Sequence, residues 1–347
     1  MTAFLRNTWY LAGWAEELSQ DALLARTIAG EPLVLFRSPA GAPVALADVC
    51  PHRFAPLSRG RLGPLGLQCR YHGLTFGADG RCVHNPHGPI SSALSARRFA
   101  VVERHTALWI WLGEPDRADP ATIPDLGFID RTAPEARVRG CLHRQANYLL
   151  LVDNIMDLSH ADYLHPDTLG GGINTRTKGR VEERDGVVAI RWHAHDDLLP
   201  PVHRGLMPNG EARGDFHNEV YWHAPGVMLQ RLHFGPTGEL ETRGIDSWTT
   251  HTMTPETESS THYFFCHTSD TVSANPALAA PIKEILEHAF EFEDGPMIEA
   301  QQSRIGTRDF WSLRPALLPI DVGAARARRA LERLIAAEAQ SAASAKS

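Results

Sequence analysis

Short apolar runs broken by Gly and Pro fill the first third of the chain. PLVLFR (32–37) and VALADVC (44–50) flank the turn-rich PAGAP, and FAVVERHTALWIWLG (99–113) holds two apolar runs that predict a hairpin. Residues 1–115 are therefore expected to be mostly short strands. GEPDRADPATIPDLG (113–127) is rich in Pro, Asp and Gly and has no apolar periodicity, which predicts a domain boundary there. The second part opens on a strand-like GCLHRQANYLLL and passes into VDNIMDLSHADYLHP. In the latter, Asn154, Asp157, Leu158 and Ala161 recur at the three- and four-residue steps of a helix with a polar stripe. Pro166 and Gly170-Gly171-Gly172 should end that helix. Asp185-Gly186 between two alternating segments predicts a two-residue hairpin. Strands follow in EVYWHA, VMLQRLHFG and DSWTTHTMTPETESSTHYFFCHTSD, the last turning at Thr254-Pro255-Glu256. Helices are expected from near Pro276 to about Gln302 and over VGAARARRALERLIAAEAQ, with SAASAKS as a frayed tail. The predicted fold class is α+β: an all-β domain over 1–115, then a domain over 116–347 with a twisted antiparallel sheet wrapped around helices.

Composition narrows the function classes. The 347 residues suffice for two domains with substantial cores. A net charge of −7 and a pI near 6.2 give no reason to expect nucleic acid or an anionic membrane as partner. No window reaches eighteen consecutive apolar residues, and MTAFLRNTWYLAGWAEEL lacks a basic stretch leading into an apolar segment. A cytoplasmic protein with no membrane partner is expected. Of five cysteines, Cys82, Cys141 and Cys266 are scattered and are expected to be buried thiols.

The remaining two cysteines each precede a histidine closely: Cys50-Pro-His52 and, after sixteen residues, Cys69-Arg-Tyr-His72. Two thiolates and two imidazoles fit a [2Fe-2S] cluster with cysteines on one iron and histidines on the other. Neutral imidazoles raise the potential of such a cluster above that of an all-cysteine one. A Cys2His2 zinc site ordinarily places both cysteines before both histidines, which this order does not. CPHRFAPLSRG and CRYHGLTFGADGRC resemble the two cluster-binding loops of a Rieske iron–sulfur domain, with Gly60, Gly73, Gly77 and Gly80 suited to tight loops. Neither loop has the additional cysteine of respiratory Rieske proteins, so the resemblance is to the ferredoxin and oxygenase branch.

A second metal site is suggested by His160 and His165. They lie about 140° apart on an ideal helix, so they can share a metal only where the helix ends or distorts. With eighteen histidines in the chain, spacing alone leaves the pair open. NYLLLVDNIMDLSHADYLHP resembles the D/N-x2-D-x2-H-x4-H segment of Rieske non-heme iron oxygenases, and FEFEDGPMIEAQQ resembles that family's late helix. The resemblance implies that His160, His165 and Asp294 bind a mononuclear Fe(II). Glu293 is the adjacent competitor; Glu291, Glu293 and Glu299 are expected to face solvent or make helix contacts. Pro296 predicts a kink or a fresh helix start directly after the ligand. By the same resemblance, Asp157 accepts a hydrogen bond from His160 and meets His72 of a neighbouring subunit in a head-to-tail trimer. Asn154 is expected near the iron or as a structural amide.

The resemblance runs nearly end to end, carried by RNTWYLAGW, VCPHRFAPLS, RCVHNPHG, LWIWLGEP, HTMTPETESSTHYFF and MIEAQQ. It is strongest to the branch containing vanillate O-demethylase, dicamba monooxygenase and toluenesulfonate methyl-monooxygenase. It implies a terminal oxygenase that uses O2 on a small aromatic acid, by O-demethylation or methyl hydroxylation. NAD(P)H would act only through a separate ferredoxin or reductase, because no G-x-G-x-x-G follows a strand here. A cis-dihydroxylating dioxygenase, a hydroxylase of larger rings, a Rieske electron carrier and a degenerate binding protein remain alternatives. For substrate contacts the expectation falls on His251, then Gln230, with His203 or Arg204 near the pocket mouth.

Overall fold

The structure is a computed structural model that describes residues 4–207, 210–307 and 309–344. The chain forms two compact units, one of residues 1–125 with 254–257 and one of residues 126–253 with 258–347.

The first unit is built on two sheets. β1 (Trp9–Trp14), β2 (Leu24–Ile28), β3 (Glu31–Arg37), β4 (Pro43–Ala47), β9 (Arg98–Arg104) and β10 (Ala107–Trp111) pair in the order β1-β10-β9-β4-β3-β2. Every residue of β1 and β10 is buried, which is why both read as unbroken apolar runs rather than alternating ones. The predicted hairpin is β9–β10, closed at His105 and Thr106 with φ of 54° and 57°. Four short strands, β5 (Arg61–Gly63), β6 (Gly66–Gln68), β7 (Thr75–Phe76) and β8 (Cys82–His84), form a second antiparallel sheet. Val34, Phe36, Leu46, Leu67 and Phe76 pack with Cys50 and Cys69 into a single apolar cluster, so the core holds both cysteine-bearing loops from beneath.

In the second unit β11 (Val138–Arg144), β12 (Arg180–Arg184), β13 (Val187–Leu198), β14 (Arg213–His223), β15 (Val227–Gly235), β16 (Ile245–Pro255) and β17 (Thr261–Ser269) form one sheet, ordered β11-β17-β16-β15-β14-β13-β12. Asp185-Gly186 closes the β12–β13 hairpin as predicted. Along β14, Phe216, Asn218, Val220 and Trp222 are buried while His217, Glu219 and Tyr221 are not; Asn218 is the polar member of that buried face. β16 continues through Thr254 and Pro255, so the turn falls later than the Thr254-Pro255-Glu256 signal placed it.

Several expected elements differ. NYLLL is helical, not extended: the Asn147 side chain accepts from the Leu149 N–H at 3.0 Å and caps a helix over Tyr148–Met156. That helix stops at Asp157, so Asp157, Leu158 and Ala161 do not continue its stripe. The final helix runs from Val322 to Ser344, which takes in half of the predicted tail; residues 345–347 lie outside the described residues. Cys82 and Cys266 are buried, but Cys141 is exposed, because it alternates outward on β11 at the edge of the sheet. Among the described residues no helix is long and apolar enough to cross a membrane.

The final helix is joined to the helix Tyr148–Met156 by a bidentate pair. Arg328 Nε donates to Asp153 Oδ1 at 2.9 Å and Nη2 donates to Oδ2 at 2.6 Å, with the arginine 6 % exposed and its guanidinium over the Phe310 ring. Removing one partner of such a pair leaves a charge without its counter-ion. Arg328→Ala should cost about 3 kcal/mol in urea denaturation. Arg328→Ala combined with Asp153→Ala should recover part of that loss.

Candidate metal centres

The two cysteine loops are built alike. Cys50 donates its N–H to the Ala55 carbonyl at 2.8 Å and its own carbonyl accepts from Phe54 N at 2.9 Å; Cys69 does the same with Leu74 at 2.7 Å and Gly73 at 3.0 Å. The fifth residue of each loop is left-handed, Phe54 at φ 58° and Gly73 at φ 77°. Gly73 meets that demand without steric cost, whereas Phe54 bears it as an exposed aromatic. The loops bring the His52 and His72 rings to 4.6 Å between centroids. His72 Nδ1 is buried with no hydrogen-bond partner. Partial burial, together with His52, Arg53 and His87, holds His72 below its ordinary pKa, so the ring is neutral and able to ligate. Burial pushes the Cys50 thiol up, and neighbouring Cys69 pushes it further. Two buried thiols beside two imidazoles are the donor set a [2Fe-2S] cluster takes, and the residues fit it.

In the second unit the sequence places three ligand candidates on irregular backbone. After Asp157 the chain makes a 3-10 turn, Leu158–His160, then a short helix, Ala161–Leu164, that ends before His165. This break brings the two rings together across the 140° that a continuous helix would impose; their centroids lie 5.5 Å apart. Asp294 closes a π-helical turn, Ala289–Asp294, between the helices Ala279–His288 and Gly295–Ile305. A fresh helix starts at Gly295, as expected, so Pro296 stands in its first turn, where no donor is needed. A Cβ on Gly295 would lie 2.9 Å from Arg144 Nη1 and 3.2 Å from the Phe290 carbonyl, so a side chain there would have to displace the Arg144 guanidinium.

Ligand atoms of His160, His165 and Asp294 lie within 4.8 Å of one another. His165 Nε2 is 3.1 Å and His160 Nε2 is 3.4 Å from Asp294 Oδ1. Ligands about 2.1 Å from a divalent ion and at right angles to each other are about 3 Å apart, which is the spacing seen. His160 Nδ1 donates to the Asp157 main-chain carbonyl at 2.5 Å and His165 Nδ1 donates to Glu293 Oε2 at 2.7 Å. Both Nε2 lone pairs are thereby turned towards the Asp294 carboxylate. Three lone-pair atoms facing inwards repel one another unless a cation lies between them, so the set fits a two-histidine, one-carboxylate iron site. Burial works to lower the His165 pKa, but Asp294 and Glu293 outweigh it and raise it, which again marks a place that favours positive charge.

Two expected roles change. Asp157 accepts from His160 through its main chain; its carboxylate instead accepts from Ser159 N and Oγ, both at 3.0 Å, capping the 3-10 turn. Glu293 is only partly exposed and bonds His165 from the π turn rather than pointing away from the site. Nothing in a linear reading reports that turn beyond Pro296 itself. Glu299 makes a contact, accepting from Gln145 N at 3.1 Å. Asn154 donates its Nδ2 to Asp294 Oδ1 at 3.1 Å, beside the candidate iron.

An inner cavity of about 140 Å³ lies against the triad, walled by Ile155, Leu158, Phe216, Leu232 and Phe290. His251 and Gln230 both line it, as expected, yet neither His251 nitrogen is free. The Tyr263 hydroxyl donates to Nδ1 at 2.7 Å, and Nε2 donates to Gln230 Oε1 at 3.0 Å. Gln230 Nε2 donates in turn to Asn218 Oδ1 at 3.0 Å. Burial pushes His251 down to about 3, so the ring is neutral. His203 also lines the cavity, whereas Arg204 donates its Nε to the Leu199 carbonyl at 2.6 Å. His160 also lines an open groove of about 640 Å³, whose lining includes Asn154, Asp157, Met297 and Trp311.

Glu293 fixes the His165 tautomer, and loss of such a partner commonly costs 10- to 100-fold in metal affinity. Glu293→Ala should therefore weaken ferrous iron binding by about that factor in competition with a chelator, with the cluster's visible spectrum unchanged.

Known proteins share this arrangement. Residues 8–93 match the Rieske [2Fe-2S] domain family, and residues 144–337 match the vanillate O-demethylase oxygenase C-terminal domain family. The oxygenase component of dicamba O-demethylase from Stenotrophomonas maltophilia is 39% identical over 97% of this chain and 99% of its own length. A putative toluene-4-sulfonate monooxygenase iron–sulfur subunit from Comamonas testosteroni is 39% identical over 96% of this chain and 98% of its own. The crystal structure of dicamba monooxygenase with non-heme iron and dicamba superimposes with a TM-score of 0.83 at 38% identity, covering 97% of this chain and 99% of that one. A cluster domain and an iron-ligand domain in this order, matched over nearly the whole length, make this chain a member of the Rieske non-heme iron oxygenases, an oxygenase component of their vanillate O-demethylase branch.

Proposed function

We propose that this oxygenase oxidises a methyl or methoxy group on a single-ring aromatic acid, with O-demethylation as the leading reaction. The observation that carries the reading is the inner cavity. Its volume of about 140 Å³ is close to the roughly 150 Å³ of an engineered apolar cavity that binds benzene. A single substituted ring suits that volume better than the four fused rings of a steroid do. Apolar walls hold the ring and exclude water, while the triad at one end faces whichever substituent points towards it.

His160, His165 and Asp294 would hold the ferrous iron, and Cys50, His52, Cys69 and His72 the cluster. Bound there, the iron supplies oxygen activation: one atom of O2 enters the substrate's methyl C–H bond and the other leaves as water, at the expense of two electrons and two protons. For a methoxy substrate the product is a hemiacetal, which collapses to a phenol and formaldehyde. The chain's own residues position these events. Asn154 steadies Asp294 Oδ1, Glu293 holds the His165 tautomer, and the Asp157 carbonyl holds that of His160.

Electrons would arrive from a separate ferredoxin or reductase. We further propose that they pass from His72 of a neighbouring copy to Asp157, in a head-to-tail trimer. Supporting this, Asp157 and His160 line the open groove, and Asp157 does not line the inner cavity. Five cysteines in no disulfide and the need for a reductase suit a reducing cytoplasm.

Asp157→Asn keeps an oxygen able to cap Ser159 but removes the carboxylate's charge. It should retain both metals and lower turnover at least 100-fold; near-normal turnover would contradict the route. The reaction itself is tested by a single turnover of reduced, iron-loaded protein with O2. Methoxybenzoates and their methyl analogues are the substrates. Stoichiometric formaldehyde with a phenol is expected. Products gaining two oxygens and two hydrogens would instead mean dihydroxylation.

A further inference from the structure

Arg144 ends β11 on the buried face of that strand, two residues after Leu142. It is 8% exposed, yet among the described residues its guanidinium makes no hydrogen bond, and Nε is buried without a partner. Its ion-pair contact, Nη1 to Glu299 Oε1, is long at 3.8 Å. That carboxylate is partly exposed and already accepts from Gln145 N. A buried charge is costly unless it is well paired, and an apolar side chain of similar volume is often at least as stable. Stability alone therefore gives no reason for a charge at this position.

What the charge faces is the iron site. A Cβ on Gly295 would lie 2.9 Å from Nη1 and 3.0 Å from Cζ, so the guanidinium rests against the residue that follows Asp294. Arg144 and Asp294 also border one small cavity, together with Asn154 and Tyr263, and the rest of its wall is apolar. Its volume of about 10 Å³ is on the order of a single water. Charges with so little solvent between them are screened far less than charges at a surface. Tyr263 feels both: burial raises its pKa most, Asp294 adds to the rise and Arg144 opposes it. Arg144 does not line the inner cavity, so it is not a substrate contact.

We infer that Arg144 sets the redox balance of the iron site: its fixed charge, held behind Asp294, favours the ferrous over the ferric ion. This rests on the reading of His160, His165 and Asp294 as iron ligands. The ferric ion carries the greater positive charge, so a nearby cation costs it more. Asp294 and Glu293 pull the other way, and Arg144 offsets part of their effect. Arginine suits the task because it stays protonated even when buried.

A redox titration of the iron-loaded holoprotein, followed by EPR, tests this. The high-spin ferric signal reports the mononuclear iron, and the reduced cluster's signal in the same sample is the internal control. Arg144→Met should shift the balance towards ferric by about tenfold or more, a fall of about 59 mV or more in midpoint potential for one electron. The cluster's potential should not move. Arg144→Lys, which keeps the charge, should stay within about threefold of wild type. Glu299→Gln breaks the same ion pair but removes a negative charge, so it should not lower the potential. If Arg144→Met does not fold, Arg144→Gln, with the same loss of charge, is read in its place. An unchanged potential in the neutral variant overturns the inference and leaves the iron site standing. So does a fall of equal size in Arg144→Lys or in Glu299→Gln, which would make the effect structural. Wild-type protein that shows no high-spin ferric signal on oxidation overturns the iron-ligand reading, and this inference with it.

Discussion

One carboxylate oxygen organises the second unit. Asp294 Oδ1 receives the Asn154 amide at 3.1 Å and faces the Nε2 atoms of His165 at 3.1 Å and His160 at 3.4 Å. Those groups come from a regular helix, a 3-10 turn and the end of a short helix, and the oxygen itself from a π turn. None of these segments could be regular throughout and still converge. The break at Asp157 and the widened turn at Ala289–Asp294 are therefore requirements of the site, and π turns are commonly found at functional positions for this reason.

Around that point the polar groups are arranged so that few have a choice of partner. Each histidine ligand has its far nitrogen fixed, one by a main-chain carbonyl and one by Glu293. Tyr263, His251, Gln230 and Asn218 form a directed chain that ends on the Asn218 amide oxygen. Such chains hold side chains more rigidly than isolated pairs do, at the risk that a single unpaired member becomes costly. His203 lies outside that chain on the cavity wall, with its Nδ1 buried and unpartnered. In the first unit the same economy appears in a different form: two loops with identical main-chain bonding present a cysteine and a histidine each over one apolar cluster.

Much of this was legible in the sequence. The Cys50/His52 and Cys69/His72 pairs carry their chemistry in their spacing, whereas the segment from Asn154 to His165 became legible only through its resemblance to the family's iron-ligand segment. Strand periodicity found both hairpins, because their turns use residues and lengths with few alternatives. What escaped was set by tertiary contact. Asn147 outcompetes the strand-like look of NYLLL once it caps the helix. Glu293 looked like a solvated neighbour because a π turn shifts facing by a residue, and Pro296 signalled a disruption without its kind. His251 was picked out as a donor, yet its two partners, Tyr263 and Gln230, lie 12 and 21 residues away and exhaust it. Cys141 looked like the other thiols, and only its place on an edge strand exposes it.

The central claim is that His160, His165 and Asp294 form a metal site independent of the cluster. Metal analysis of Asp294→Ala, with the visible spectrum taken on the same sample, tests it most directly. The account predicts the loss of one iron per chain with cluster absorption unchanged. Full iron retention, or loss of the cluster along with the iron, would contradict it.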